Sequence, residues 1–438
     1  MSTLAPELLE PIFLDLRDDK PSLKNCSLVD RTFLSLARPH LFHTIRLFQN
    51  NVEPFLELCN DPLETISGTI RSFTVSQNRF IESEPKDKRL QNSPALNRLL
   101  TWRSSDGKRT LTTVLSRVST LSLAWIGWWA LDDDAKRMLL EEFQSVKELK
   151  MWMTGFDTYD EFSTLVSSFK HLESLTLETI RPFRNERAES SNATQQRTVS
   201  NTLQNIALKD VQDAELIRRL TPCHALRSFH CHFVNFGDFT VERAVAIGQL
   251  LASAGSTLEE FSFTIQAAGS LNRGTVLAAR FHPYIDLTKN TNLRTIKLWI
   301  EDSAFQLPFL ENLTKDETGS EPHIEVLDIH YLSQLDLDWA QLDAMLQHPV
   351  YSQLREVRAY VQVTYGYSDV VGQPRTWYEA PNSDSKAARN MEKKMAEFRK
   401  KLPRTNERGI LELRENYRFF DIRAWYPDLE LSEELSDE

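Results

Sequence analysis

The amino-acid sequence predicts an α/β fold in which a short helical segment precedes a solenoid with a parallel, curved sheet. Three observations predict it: an apolar stripe at helical spacing near the start, a strand pattern that recurs from residue 118, and amphipathic helical stretches between the strands. Strands that alternate with helices on a regular period indicate stacked repeat units. Because helices join them, these strands are expected to run parallel.

The helical segment is predicted from spacing and from helix-end signals. Pro6 suits a first helical position, where the missing N–H is no loss, whereas Pro11 lies inside the helix and predicts a kink. A second helix is expected over 22–29, and a third from its cap Asp30 to Ala37, with Pro39 ending it. Three short helices cannot bury so many large apolar side chains, so a partner helix is expected. The stripe on the first helix consists of Leu8, Leu9, Ile12, Phe13 and Leu16.

Residues 4–45 resemble an F-box. The resemblance implies that this segment binds a Skp-type adaptor and, through it, a cullin ubiquitin ligase. Phe33 departs from the family, because many members carry Trp there. The resemblance rests on Leu4-Ala5-Pro6-Glu7-Leu8-Leu9, Ile12-Phe13, Leu16, Leu23, Cys26, Leu28-Val29, Arg31, Phe33 and Leu36-Ala37-Arg38-Pro39. The implied adaptor-binding residues are Leu4, Pro6, Leu8, Leu9, Ile12, Phe13, Leu16, Leu28, Val29 and Phe33. Of these, Leu8, Ile12, Leu28 and Val29 are expected to remain exposed after the three helices pack.

From residue 118 onward one pattern repeats: two apolar residues three positions apart, then another apolar residue two positions further. Alternation at the end of each unit is typical of a strand. Successive units lie 23 to 35 residues apart, with a mean near 29. Two earlier strands are expected at 42–47 and 70–75. The nine units are Val118-Leu121-Leu123, Val146-Leu149-Met151, Leu172-Leu175-Leu177, Leu203-Ile206-Leu208, Leu226-Phe229-Cys231, Leu258-Phe261-Phe263, Leu293-Ile296-Leu298, Ile324-Leu327-Ile329 and Leu354-Val357-Ala359.

The repeats resemble leucine-rich repeats in the irregular form common among fungal F-box proteins. The Asn that follows the strand in that family is mostly missing, so the resemblance is to the architecture. The whole chain is therefore predicted to be an N-terminal helical F-box followed by an irregular leucine-rich-repeat-like solenoid. A non-repetitive α/β domain is the alternative. The predicted boundaries are 1–45 for the helical domain, 46–117 for a connecting segment with early repeats, 118–365 for the solenoid, 366–427 for a loop, basic helix and terminal strand, and 428–438 for an acidic tail.

Helices are expected between the strands from acidic starts followed by apolar residues at helical spacing. Such starts occur at Asp132, Asp157 and Asp238, and Gly255 should end the last of these helices. Near the end of the chain, residues 386–404 carry eight basic and two acidic side chains, while 428–438 carry six acidic side chains and no basic ones. The basic stretch is predicted to be a helix that packs through Met391, Met395, Phe398 and Leu402.

Composition excludes several classes of function. The net charge of −11 argues against a general nucleic-acid binder. Four cysteines without paired spacing are typical of a reducing compartment, so a cytoplasmic or nuclear protein is expected. No basic flank with an apolar core opens the chain, and no run of 18 apolar residues occurs. Neither a signal peptide nor a membrane span is therefore expected.

No motif in the sequence predicts an enzyme or a cofactor. The group Cys223-His224 and His230-Cys231-His232 suggests zinc, but Cys231 should face the core while its two neighbours face away, so the three cannot share one ion. The stretch 269–274 has the glycine spacing of a P-loop, but Thr275 stands where lysine is required.

The substrate site is predicted on the face of the sheet that points away from the core. In each repeat the residues between and just after the last two apolar positions point that way. Four basic and two acidic side chains over the nine repeats suggest an acidic or phosphorylated ligand. The histidines should add charge below a pH of about 6.5. Cover by the chain's own helices or loops is the alternative. The candidates are Lys150, Trp152, Lys209, His230, His232, Lys297, Trp299, His330, Arg358 and Tyr360.

The sequence therefore predicts a non-enzymatic substrate-recognition subunit of an SCF-type ubiquitin ligase. Its helical domain would bind the adaptor, and its sheet would bind a protein substrate. The alternative is a repeat-type interaction scaffold with a vestigial F-box. A hydrolase or transferase is a more distant alternative, because no nucleophile–base arrangement is visible.

Overall fold

The computed structural model describes residues 6–61, 64–77, 94–180, 201–234, 239–265, 278, 280–300, 303–314, 322–329, 338–362 and 386–416. These residues form an α/β solenoid with one curved sheet of twelve parallel strands in chain order, which confirms the predicted fold class. The strands are β1 (Thr44–Leu47), β2 (Ser72–Ser76), β3 (Thr120–Ala124), β4 (Glu148–Trp152), β5 (Ser174–Glu178), β6 (Asn205–Lys209), β7 (Ser228–Phe233), β8 (Glu260–Ile265), β9 (Thr295–Ile300), β10 (Val326–Ile329), β11 (Glu356–Gln362) and β12 (Leu411–Asn416).

The first three helices precede the sheet, and the later helices lie between its strands and form the other layer of the solenoid. The described helices are named in chain order. They are α1 (Pro6–Asp15), α2 (Lys20–Ser27), α3 (Arg31–Leu41), α4 (Val52–Asn60), α5 (Pro94–Leu100), α6 (Leu111–Val114), α7 (Asp133–Glu141), α8 (Tyr159–Ser168), α9 (Ala214–Arg218), α10 (Val241–Ala254), α11 (Ser303–Asn312), α12 (Trp339–Met345), α13 (Lys386–Lys401) and α14 (Pro403–Glu407). Across the described residues, no helix is both long and apolar enough to cross a lipid bilayer.

The core lies beneath the sheet and is built from ladders of aligned apolar residues. Every repeat unit contributes its apolar positions in register, so that Leu121, Leu149 and Leu175 are successive partners and none is exposed to solvent. In the second ladder, Leu123 and Met151 are exposed by 2% and 1%. All nine strands predicted from residue 118 onward are confirmed, as are the two earlier strands.

The repeat is also present in the backbone hydrogen bonds that precede each strand. One carbonyl accepts from two successive N–H groups of the next unit, as when Ser119 O accepts from Lys147 N at 2.8 Å and Glu148 N at 3.0 Å. Lys147 O accepts from the following unit in the same way. The steps between units vary because the connecting segments differ in length, while this strand-to-strand geometry stays constant.

Helix starts follow the predicted signals to within a few residues. Asp132 caps α7 by accepting from Ala135 N at 2.7 Å, and Gly255, with φ of +55°, ends α10 as predicted. Two caps differ from the expectation, because Thr158 rather than Asp157 caps α8 and Thr240 caps α10. A Thr hydroxyl can make the same hydrogen bond to the N3 amide, which an acidic pattern alone does not detect.

The helical unit, α1 to α3, has its own small core, separate from that of the solenoid. That core consists of Leu9, Phe13, Leu23 and Ala37. Asp30 caps α3 as predicted, by accepting from Phe33 N at 2.8 Å. The prediction that Pro39 ends α3 is wrong: α3 continues to Leu41, since a proline in the last turn removes a single backbone donor.

The other end of the solenoid is closed by α13, α14 and β12. Phe398 and Leu402 are buried, and Met395 packs partly buried against the solenoid core, as predicted for the basic helix. The predicted terminal strand is confirmed as β12, which pairs with β11. The sheet thus extends beyond residues 118–365 at both ends. Residues 366–385, the tail 428–438 and the side chain of Met391 lie outside the described residues.

Candidate functional site

Exposed large apolar side chains concentrate in the helical unit. Among the described residues nine such side chains are exposed, and six of them lie between residues 8 and 34. Leu28 is exposed by 83% and Ile12 by 50%. Leu8 and Ile12 are one turn apart on α1, whereas Leu28 and Val29 lie where α2 ends and α3 begins. These four residues are therefore exposed, as predicted. The other two are Leu14 and Leu34.

Three other predicted adaptor residues serve the helical unit itself. Leu9 and Phe13 are exposed by 5% and 1%, so they form its core and are not available to a partner, which corrects the sequence-based expectation for both. Phe33 is partly buried and packs edge-on against Phe13, with ring centroids 5.5 Å apart. Helical spacing alone could not separate the two sets, because Leu8 and Leu9 are adjacent in the same apolar stripe.

Of the remaining three, Leu16 is partly buried against the same core. Leu4 and the side chain of Pro6 lie outside the described residues.

The second candidate surface is the sheet face, the outward side chains of β1 to β12. Register aligns these side chains in three rows that cross the strands. One row contains Lys150, His230, Lys297 and Arg358, and the next contains Trp152, Lys209, His232, Trp299 and Tyr360. All nine are partly exposed. His330, the tenth predicted substrate residue, lies outside the described residues.

The predicted excess of positive charge on the sheet face is absent, because a further row of outward residues supplies carboxylates. Each of the four basic residues expected to bind substrate lies within 4 Å of a carboxylate. The nitrogen–oxygen pairs are Lys150 with Glu148 at 3.2 Å, Lys209 with Glu178 at 3.7 Å, Lys297 with Glu260 at 2.5 Å, and Arg358 with Glu356 at 2.5 Å.

Over all twelve strands the charges on the described sheet face balance. It carries six basic side chains, Arg46, Lys150, Lys209, Lys297, Arg358 and Arg414, and six acidic ones, Glu148, Glu178, Glu260, Asp328, Glu356 and Glu412. The row of carboxylates that the sequence-based prediction omitted could have been recognised from the sequence. The alternation of each strand extends one residue before its last two apolar positions, to Glu148, Glu260 and Glu356.

The two described histidines of the sheet face both have pKa values lowered by burial. Burial, assisted by the nearby Lys209, lowers the pKa of His232 to about 4. Burial also lowers the pKa of His230, although Glu260 opposes this effect. The expectation of positive charge just below pH 6.5 is therefore wrong for His232, because partial burial disfavours the charged imidazole. For His230 burial acts in the same direction.

Aromatic side chains give the sheet face its most distinctive anchors. Trp152 packs edge-on against Trp125, with ring centroids 5.5 Å apart. Trp299 and Tyr360 occupy the same row on β9 and β11. Trp and Tyr are frequent hot-spot residues in protein interfaces, because they contribute large contact areas and one polar group each.

The turn after each of four central strands has an unusual backbone that sequence patterns did not reveal. Trp125, Met153, Thr179 and Asp210 each follow a strand and have φ between 47° and 59°. Each donates its N–H to the carbonyl of the neighbouring unit, as when Trp125 N donates to Trp152 O at 2.8 Å. Such conformations are rare outside glycine and Asn, so their repetition shows that the sheet imposes this turn.

The cysteine and histidine residues of β7 lie on opposite faces of the sheet. Cys231 is 2% exposed in the core, whereas His230 and His232 lie on the sheet face. Burial raises the pKa of the Cys231 thiol and so disfavours the thiolate that binds zinc. Within the described part of the chain, no three His, Cys, Asp or Glu residues are grouped to hold a metal ion.

Comparisons with known proteins find structural likenesses among solved structures. No family model and no curated protein matches the sequence. A crystal structure of the yeast Rad7–Elc1 complex is similar over 81% of this chain and 75% of the matched chain, with 16% sequence identity and a TM-score of 0.34. Such a TM-score does not establish a common fold, so the proposals below rest on this chain's own residues.

Proposed function

We propose that this protein is a substrate-recognition subunit of an SCF-type ubiquitin ligase. The helical unit binds a Skp-type adaptor, and the sheet face binds the protein to be ubiquitylated. Transfer of ubiquitin belongs to other subunits, so the chain itself is not an enzyme. Its role is to hold two partners on one rigid body.

The observation that carries this proposal is the distribution of exposed apolar side chains. Six of the nine in the described chain belong to a unit whose own core has only four buried residues. Burying a large aliphatic side chain contributes about 1.5–3 kcal/mol, so leaving Leu8, Ile12 and Leu28 in water is costly without a partner. The resemblance of residues 4–45 to an F-box implies a Skp-type adaptor as that partner.

The link between the helical unit and the sheet supports a fixed geometry between the two partners. The chain enters β1 three residues after α3 ends, and His43 O accepts from Arg71 N at 2.9 Å just before β2. In addition, α3 contacts the short turn at Ser67–Thr69. A helical unit docked in this way would present substrate at a defined position relative to the ligase.

For the substrate we propose recognition through the aromatic anchors of the sheet face. The ion pairs of the sheet face offset the positive charge that was predicted to bind an acidic or phosphorylated ligand. An acidic segment would have to displace Glu148, Glu260 or Glu356 from its partner. The contact area of an aromatic side chain does not depend on net charge, so Trp152, Trp299 and Tyr360 serve as the main contacts in this proposal.

The adaptor proposal is tested with a charge placed in the apolar surface of the helical unit. Replacing Ile12 with Asp should weaken binding of a Skp-type adaptor at least tenfold, about 1.4 kcal/mol, because an unpaired carboxylate would be buried. Isothermal titration calorimetry of the purified adaptor against the full chain measures this change.

A matched control separates a specific contact from a general effect of charge. Leu58 on α4 is exposed by 41%, outside the helical unit, and Leu58→Asp should leave adaptor affinity unchanged. Circular dichroism checks that both variants remain folded. Equal affinity of the Ile12→Asp variant and the parent chain would exclude the helical unit as the adaptor site. A chain that binds no Skp-type adaptor would leave the scaffold alternative in its place.

A further inference from the structure

Two groups of basic side chains, one on the sheet face and one on α13, have different surroundings. Those predicted to bind substrate on the sheet face are paired with carboxylates. The group on α13 consists of Lys393 and Lys400 on its outward side and Arg399 and Lys401 in its last turn. All four side chains are exposed. Among the described residues no carboxylate lies within 4 Å of Lys393, Arg399 or Lys400, so these three side chains of α13 present positive charge that no described ion pair offsets.

The inward side of α13 is fixed, which holds this charge in place. Phe398 packs edge-on against Trp339, with ring centroids 4.7 Å apart, and Leu402 is not exposed to solvent. Lys401 Nζ lies 4.9 Å from the centre of the Trp339 ring, a cation–π contact at the edge of the packed surface. With the apolar side buried, Lys393 and Lys400 are held two turns apart on the opposite side.

Like charges gathered on one helix repel one another and favour binding of an anionic group. Residues 386–404 carry a net charge of +6, and residues 428–438 carry −6 with no basic side chain. We propose that the acidic segment 428–438 binds the basic face of α13, defined by Lys393, Arg399 and Lys400, within the same molecule. The acidic segment thereby shields this charge from other acidic ligands.

The length of chain between the two elements permits this contact. β12 ends at Asn416, and α13 packs against β12. Residues 417–427 supply eleven residues, which span at most about 36–40 Å when extended. The 16-residue helix is about 24 Å long, so the segment can reach every basic residue on it. A tether of this length also gives an effective concentration in the millimolar range.

Carbodiimide cross-linking of the full chain tests this contact, because the reagent joins a carboxylate to an amine only when the two are in contact. We expect amide links between carboxylates of 428–438 and Lys393 or Lys400, identified by mass spectrometry of proteolytic peptides. Their yield should fall about threefold or more between 0.05 M and 0.5 M NaCl, because salt screens exposed charges.

Two variants of equal net charge give the control. In the variant with Lys393→Glu and Arg399→Glu, Lys400 is the remaining lysine of the basic face. The yield of links from 428–438 to Lys400 should fall by about threefold or more, since the attracting charge is reversed. Lys108→Glu with Lys289→Glu changes two exposed lysines elsewhere and should leave that yield unchanged.

Isotope mixing decides whether the contact is made within one molecule. In an equal mixture of ¹⁴N- and ¹⁵N-labelled protein, links within one molecule join peptides of the same isotope. Mixed-isotope links, or a yield at Lys393 and Lys400 no higher than at Lys108 and Lys289, would overturn the proposal. So would a yield that does not depend on salt.

Discussion

Neighbouring residues of a strand point to opposite faces of the sheet, so a shift of one position separates side chains that can contact a partner from side chains that form the core. Lys297 and Ile296 are adjacent, yet Lys297 lies beside Glu260 on the sheet face and Ile296 is not exposed to solvent. Similarly, Leu8 is exposed by 61% whereas Leu9 is exposed by 5%. The chemistry of both proposed surfaces is therefore set by alternation at single-residue resolution.

The lowered pKa of His232 predicts a loss of stability in mild acid. Its pKa is about 4 in the folded protein and near 6.5 when unfolded, so between these values the unfolded state binds more protons. The folded state should therefore lose about 1–2 kcal/mol from this residue as pH falls from 7 to 5, after allowance for its partial exposure.

Urea denaturation at the two pH values measures this loss in the parent chain and in His232→Gln. The variant should lose less stability between pH 7 and pH 5 than the parent, because glutamine does not titrate. An equal loss in both proteins would show that His232 has an ordinary pKa in the fold.

At the scale of elements, the sequence predicts the strands better than the helix ends. All eleven strands predicted from apolar patterns are present, because a fully buried ladder requires the same residue type at the same place in every unit. Helix ends depend on single hydrogen bonds, and Thr158, Thr240 and Pro39 each shifted one by a few residues. The turns at Trp125 and Met153 carried no sequence signal, because neighbouring units impose their backbone.

The sequence predicts the location of the candidate surfaces better than their charge balance and pKa values. The four exposed residues of the helical unit follow from the number of helices and the width of the stripe. The charge balance of the sheet face depends on which carboxylate approaches each lysine from an adjacent strand. The pKa of His232 depends on burial by residues distant in sequence, which a local pattern does not contain.

The closing element at the end of the solenoid depends on one buried carboxylate. Asp343, on α12, is 4% exposed and accepts from Arg404 N and Thr405 N at 3.0 Å and from Thr405 Oγ1 at 2.7 Å. Replacing Asp343 with Ala should destabilise α14 by about 2–3 kcal/mol, since three donors lose a charged acceptor.

Hydrogen exchange of peptides from α14 and β12 measures the effect of this change. Asp286 provides the matched control, because it is exposed and accepts from Thr288 N and Thr288 Oγ1 in a similar way. Asp286→Ala should leave exchange in α14 unchanged. Unaltered protection in Asp343→Ala would show that the closing element is held by its apolar contacts alone.

At the scale of the whole molecule, two separate cores support two separate surfaces. The helical unit has a core of four buried residues, and the solenoid core extends from Leu47 to Leu402. Changes on one surface should therefore leave the other intact, because mutations at distant sites without shared contacts act independently.

Substrate recruitment tests this separation. Lys297→Glu with Trp299→Ala should weaken recruitment of the natural substrate at least tenfold, about 1.4 kcal/mol, because an aromatic anchor is lost and a paired charge is reversed. Adaptor affinity should not change. Quantitative co-purification measures both, and Arg294→Glu, at a residue with a 61% exposed side chain just before β9, is the charge control. Recruitment at parental strength would exclude this part of the sheet face as the recognition surface.

The central claim, that the helical unit binds the adaptor while the sheet face stays open for substrate, is tested most directly by a hydrogen-exchange footprint of the full chain with purified Skp-type adaptor. The account predicts a one-to-one complex in which peptides covering Leu8, Ile12, Leu28 and Val29 gain protection and peptides from β4 to β11 do not. Absence of a complex, or protection confined to the strands, would contradict it.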